Sequence, residues 1–114
     1  MDTFATLAKQ VKSLFSAGKL IRAEDLPMEI AAGAALVDVR EANETAAGVI
    51  PGAICLPLSQ LGARLSTLPK EKKLAVYCRS GMRSRVACRM LEKAGYDAHN
   101  LKGGYLNWKR LRPE

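Results

Sequence analysis

The stretch Leu74-Ala75-Val76-Tyr77-Cys78-Arg79-Ser80-Gly81-Met82-Arg83-Ser84, continued by Arg85 to Ala94, reads as strand, tight loop and helix. Leu74 to Tyr77 is a short apolar run with one β-branched and one aromatic residue, which suits a buried strand. Gly81 and the serines beside it break that pattern. Apolar residues then recur at Val86, Ala87, Met90, Leu91 and Ala94, the spacing of one helix face. Gly95 follows where a left-handed residue ends a helix. Cys78 therefore falls at the C-terminal end of a strand, with a helix N-terminus just beyond it.

Open α/β sheets bind their ligands at the C-terminal ends of strands. There, loop N–H groups and the helix dipole favour negative charge. Arg79 and Arg83 add positive charge. Each of these stabilises a thiolate, so the sequence predicts a Cys78 pKa below the usual value of about 8.5. Such a thiolate is a nucleophile that needs no separate base. A lone cysteine more often just fills a core, but Arg-Ser-Gly-Met-Arg-Ser is a poor continuation for a core position.

Four segments in order resemble the rhodanese (sulfurtransferase) family. Cys78 to Ser84 is similar to its active-site loop, and Leu36-Val37-Asp38-Val39-Arg40-Glu41 to its strand ending in Asp-x-Arg. Ile50-Pro51-Gly52-Ala53-Ile54 is similar to its Pro-Gly-Ala turn, and Leu101-Lys102-Gly103-Gly104-Tyr105-Leu106-Asn107-Trp108 to its closing Gly-Gly…Trp segment. Two positions depart from the family pattern. Val49 stands where the family often has His, and Ala42 where it often has Pro.

Alternating strand and helix signals predict a three-layer α/β fold, with a mostly parallel sheet of about five strands flanked by helices. Lys19 to Arg22 reads as an edge strand, and Ala23 to Pro27 opens a helix that ends at Gly33. Ala35 to Val39, Ile54 to Leu56 and Ala98 to Leu101 read as strands. Ser59 is placed to cap a helix over residues 60–65, and Tyr105 to Leu111 to form a closing helix carrying a core Trp108. Phe4, Leu7, Ala8, Val11, Leu14 and Phe15 have the spacing of an amphipathic helix, ended by Gly18. This divides the chain into an N-terminal helix, residues 1–18, and a rhodanese-like domain, residues 19–114.

Composition bounds the rest. The 114 residues are 48% hydrophobic and 25% charged, enough for a core without disulfide staples. Three cysteines fit a reducing compartment. Cys55, in an apolar run, and Cys88, on the helix, are both expected to be buried hydrophobes, with a resolving thiol as the alternative for Cys88. No Cys/His spacing suggests a metal, and no cofactor is implied. The longest apolar run is too short for a membrane span, and Met1-Asp2-Thr3-Phe4 begins no leader, so the cytoplasm is expected. The net charge is +7, and residues 70–93 hold eight basic and two acidic residues. That field draws small anions to Cys78. Aromatics at 5% and no binding motif argue against nucleic acid. His99 is expected on a strand near the surface, not as a base.

The resemblance implies a thiosulfate sulfurtransferase without cofactor. Cys78 would take a sulfane sulfur from thiosulfate or a similar anion and carry it as a persulfide. The acceptor would be cyanide, a thiol or a protein thiol such as thioredoxin. Arg79, Ser80, Gly81, Met82, Arg83 and Ser84 would bind the donor, Arg83 bidentately to its oxyanion. Asp38 and Arg40 would support the site, Arg40 pairing with Glu41 or Glu44. A monomer and a homodimer both fit the pattern. Two alternatives are a cysteine phosphatase or arsenate reductase and a non-catalytic binding module. The phosphatases place five residues between cysteine and arginine, whereas four separate Cys78 from Arg83.

Overall fold

The computed structural model describes residues 18–112. The proposed N-terminal helix over residues 4–16 lies outside them. Five strands form one sheet: β1 (Leu20–Ile21), β2 (Ala35–Asp38), β3 (Ile54–Cys55), β4 (Lys73–Tyr77) and β5 (Asp97–Leu101). Their order is β1-β5-β4-β2-β3, and every pair is parallel. The helices are α1 (Leu26–Ala31), α2 (Ala42–Thr45), α3 (Leu58–Arg64), α4 (Met82–Lys93) and α5 (Gly104–Leu111), with 3-10 turns at Ala23–Asp25 and Leu65–Thr67.

β4 is the central strand, and its residues show why. Leu74, Ala75, Val76 and Tyr77 are all fully buried, as expected of a strand covered on both faces. Leu74 and Val76 face a core shared with Leu61 of α3 and with Ala87 and Leu91 of α4. Ala75 and Tyr77 face the opposite core, with Ile21, Leu26 and Leu101. Tyr105 and Trp108 of α5 pack against that second core, so Trp108 is half-buried at its margin. The two-residue period of the strand thus builds the three layers.

From β4 the chain returns through α4 to β5 on one side, whereas β2 leads through α2 to β3 on the other. The C-terminal ends of β4 and β2 therefore flank the switch point of the sheet, where such folds open a crevice. Both strand ends carry residues singled out by the sequence: Cys78 after β4, and Asp38 and Arg40 on and after β2.

Two local expectations are corrected. β3 is a two-residue edge strand, so Ile54 and Cys55 are exposed, and Leu56 beyond it is the residue that goes inside. Cys55 is not a core residue. The helix expected to start after Ser59 begins at Leu58, with Pro57 as its N-cap. Val39 O already accepts the Leu58 N–H at 2.9 Å, which turns the chain one step early. Ser59 instead donates to Glu41 Oε1 at 2.8 Å. His99 lies on β5, mostly covered, 2.8 Å from Asp97 Oδ1.

Candidate active site

Cys78 continues the row of Leu74 and Val76 into the core beside α4, and the residue is 1% exposed. The loop then folds back over its sulfur. The Gly81 N–H donates to Sγ at 3.1 Å, and Ser84 Oγ lies 3.3 Å from it. Gly81 makes this turn at φ +115°, a conformation side-chain-bearing residues avoid. Ser84, in the first turn of α4, is fully buried, whereas Arg79, Ser80 and Met82 are exposed.

Burial pushes the Cys78 thiol up, since an anion is costly away from water. The Ser84 hydroxyl and the N–H groups of Ser84, Gly81 and Ser80 pull it down, and the balance lies below the ordinary cysteine value. The direction is the one the sequence predicts, but the main cause differs. Neutral donors at short range lead this lowering, ahead of the arginine charge.

Arg83 points its fork elsewhere. Its two terminal nitrogens donate to Glu44 of α2 at 2.6 and 2.7 Å, a bidentate pair. That pair holds the Glu44 carboxyl down at about 2. Glu44 is itself fixed by a capping box, its Oε1 accepting the Glu41 N–H at 3.1 Å. At the end of β2, Arg40 turns inward and pairs with Asp38 at 2.7 Å; both are buried. Arg40 also donates to Gly48 O at 2.7 Å and lies 4.2 Å from the Tyr105 ring centre. The expected partners of Arg40, Glu41 and Glu44, serve the α2 cap and Arg83 instead.

The back of the loop is held by α5. Its Tyr105 N–H donates to Cys78 O at 2.9 Å, and its Leu106 N–H to Arg79 O at 3.1 Å. Helix-terminal N–H groups that lack partners in their own helix are thereby satisfied by the loop carbonyls. A Cβ on Gly104 would stand 2.6 Å from Cys78 O and 2.7 Å from Arg79 O. Only glycine lets α5 come this close.

Residues 22–111 match the rhodanese-like domain family. The chain belongs to the rhodanese family. A sulfurtransferase of Allochromatium vinosum is 45% identical over 76 residues, 66% of this chain and 71% of that one. A human thiosulfate:glutathione sulfurtransferase is 34% identical over 90 residues, 66% of this chain and 78% of that one. The solved structure of a rhodanese-related protein from Thermoplasma volcanium superposes with a TM-score of 0.77 at 34% identity, over 83% of this chain and 95% of that one. The general chemistry of this rhodanese-like domain is sulfur transfer.

Of the residues expected in the rhodanese site, the structure brings Cys78, Ser80, Gly81 and Ser84 together around one sulfur. Arg83 borders that group but is engaged by Glu44, and Met82 is 70% exposed. Asp38 and Arg40 lie on the neighbouring strand end as a buried pair. Sequence reasoning missed Asn100 altogether, and it missed the roles of Glu44 as the partner of Arg83 and of Gly104 behind the loop. Asn100 of β5 accepts from Ser84 Oγ at 2.6 Å and donates to Gly81 O at 3.1 Å. The available signal was an Asn at the alternate position to Ala98, on the inward face of that strand, because a buried amide needs partners. Among the described residues no cluster of His, Cys, Asp and Glu is suited to hold a metal, and no helix is long and apolar enough to cross a membrane.

Proposed function

We propose that Cys78 is a nucleophilic sulfur carrier that turns over by a ping-pong cycle. The Cys78 thiolate attacks the outer sulfur of thiosulfate. A new S–S bond forms, the old one breaks, and sulfite leaves with the bonding electron pair. Cys78 is left as a persulfide. An acceptor thiol or cyanide then attacks the outer persulfide sulfur, and the Cys78 thiolate returns as leaving group. Loop N–H groups stabilise the sulfur anion at both ends of the cycle, because they are already oriented and need no reorganisation.

The observation that carries this reading is the sulfur of Cys78 held in a ring of neutral donors that lowers its pKa. Thiosulfate as donor and a small thiol as acceptor are supported by the human relative, a thiosulfate:glutathione sulfurtransferase. The donor's oxyanion meets the exposed Arg79 and the loop N–H groups first, since Arg83 is already bound by Glu44. Arg83 thus shapes the loop in the resting state and reaches the donor only if that pair opens. An intact mass before and after thiosulfate tests the reading. The expected result is a gain of one sulfur, removed by cyanide and absent in Cys78→Ser. No gain, together with hydrolysis of an aryl phosphate that Cys78→Ser lacks, would replace it with phosphatase chemistry.

A further inference from the structure

Among the described residues four polar or charged ones are buried: Asp38, Arg40, Ser84 and Asn100. Asp38 and Arg40 satisfy each other. Ser84 and Asn100 also meet each other, and they do so at Cys78. Asn100 sits on β5 opposite Val76 of β4, two residues before the active cysteine. Its amide orientation follows from its partners. The Gly81 carbonyl can only accept, so the amide nitrogen faces Gly81 and the amide oxygen faces Ser84.

One side chain thus holds two of the groups that touch the sulfur. Gly81, fixed through its carbonyl by Asn100, offers its N–H to Sγ at 3.1 Å. Ser84 Oγ stands 2.6 Å from Asn100 Oδ1 and 3.3 Å from Sγ. A serine hydroxyl has a single proton, so it cannot serve both acceptors at once. Beside a thiol, the shorter contact to the amide oxygen keeps that proton. Beside a thiolate, the charge-assisted bond to sulfur is the stronger one.

We propose that Asn100 is a positioning residue for Cys78: it sets the loop through Gly81, and it holds the Ser84 proton until the sulfur turns anionic. On ionisation the thiol proton leaves to water and the Ser84 O–H turns from Asn100 Oδ1 to the sulfur; no other bond changes. The ionisable groups coupled to Cys78 are Arg83 and Cys88, both of α4, with Glu44 of α2 bound to Arg83. From α5 come backbone N–H groups, and β5 offers the neutral Asn100. The proposal rests on the reading of Cys78 as the sulfur carrier, and it names the residue that tunes that carrier.

The test is the pH profile of Cys78 ionisation, read by thiolate absorbance and by mass-resolved iodoacetamide alkylation of the Cys78 peptide. Asn100→Asp keeps an acceptor for the Ser84 proton but has no N–H for the Gly81 carbonyl. It is expected to move the Cys78 midpoint up by about one pH unit, leaving ~tenfold less thiolate near neutral pH. Charge alone contributes to that shift, so the change is repeated in Ser84→Ala. There the effect of Asn100→Asp is expected to fall to less than half. Equal shifts in both backgrounds would overturn the role assigned to the Ser84 proton. If Asn100→Asp does not fold, the unaltered protein answers the question through its Asn100 side-chain amide resonances. They are expected to titrate with the Cys78 midpoint and to stay flat in Cys78→Ser. Resonances that stay flat in the unaltered protein would overturn the proposal. None of these readouts needs a sulfur donor, so failure of sulfur uptake would count against the carrier reading alone.

Discussion

Cys78 and Cys88 are both buried thiols in the same core, one at the mouth of α4 and one within it. Burial pushes both up, yet they end on opposite sides of the ordinary value. Cys88 is pushed up to about 12, by burial first and by Glu92 and Cys78 after it. Cys78 falls below the ordinary value because hydroxyl and N–H donors surround it. The difference lies in backbone geometry. At the helix start the N–H groups have no intrahelical partner and are free to bind sulfur, whereas in the helix interior they are used by the helix itself. Here a thiol's pKa is set by its place relative to the helix N-terminus, not by its depth.

The sharpest way to break this contrast is substitution of each thiol. Cys78→Ser should abolish sulfur uptake from thiosulfate completely, and Cys88→Ala should leave it intact, both read by intact mass. Uptake that survives the first change or vanishes with the second would erase the distinction.

The next effect concerns the clamp behind Cys78. Gly104→Ala places a Cβ against two carbonyls at φ +59°. It should cost about 3 kcal/mol of stability and slow sulfur uptake, whereas Gly33→Ala, strained at φ +105° but with open space, should cost less and leave uptake unchanged. Chemical denaturation and the rate of persulfide formation give the two numbers.

The two thiols should also pull stability in opposite directions with pH. A thiol whose folded pKa is raised holds its proton longer when folded, so Cys88 costs stability as pH rises above its unfolded value of about 8.5. By about pH 10 that cost is about 2 kcal/mol. Cys78, lowered in the fold, adds stability that is complete above the unfolded value and is lost as pH falls through its folded one. Cys88→Ala should therefore gain relative stability on going alkaline, and Cys78→Ser should lose it. Denaturation curves at neutral and alkaline pH, with parallel trends for both variants, would contradict this.

Smaller effects sharpen the comparison at the donors themselves. Ser84→Ala removes a hydrogen bond to an anion, worth about 1.5 kcal/mol, so alkylation of Cys78 near neutral pH should slow ~tenfold. Smallest is Glu44→Gln. It loosens the fork of Arg83 and leaves more positive charge for the donor, so the KM for thiosulfate should fall about threefold, within the range of a part-exposed pair. A rise in KM would show that Glu44 is needed to hold Arg83 in place.

Much of this was legible in the sequence. The apolar run Leu74 to Tyr77 suits a doubly covered strand, and the helical spacing beyond it gives α4 a face toward that strand, on which Ala87, Met90, Leu91 and Ala94 pack while Val86 stays exposed. Strand, loop and helix in that order place Cys78 at a strand end and predict a lowered pKa. Edge positions were less legible, because an apolar Ile54-Cys55 pair looks the same whether a helix covers it or not. The partners of the arginines were illegible for another reason. Glu41 and Glu44, one and four residues from Arg40, both offer it a carboxylate in sequence, but Asp38, two residues away on the same strand face, is the one buried with it.

The sequence by itself determined the layers, the strand that leads to Cys78 and the direction in which its pKa moves, since periodicity and loop residues act over a few positions. The tertiary structure alone decided what surrounds the sulfur. Asn100, Glu44 and Gly104 lie between 22 and 34 residues from Cys78 in the chain. They reach its loop only because parallel strands and close helix contacts bring their polar groups within hydrogen-bond range. Hydrogen bonds and steric contacts act over a few ångströms, and no local pattern in a sequence records which distant residues the fold brings that near.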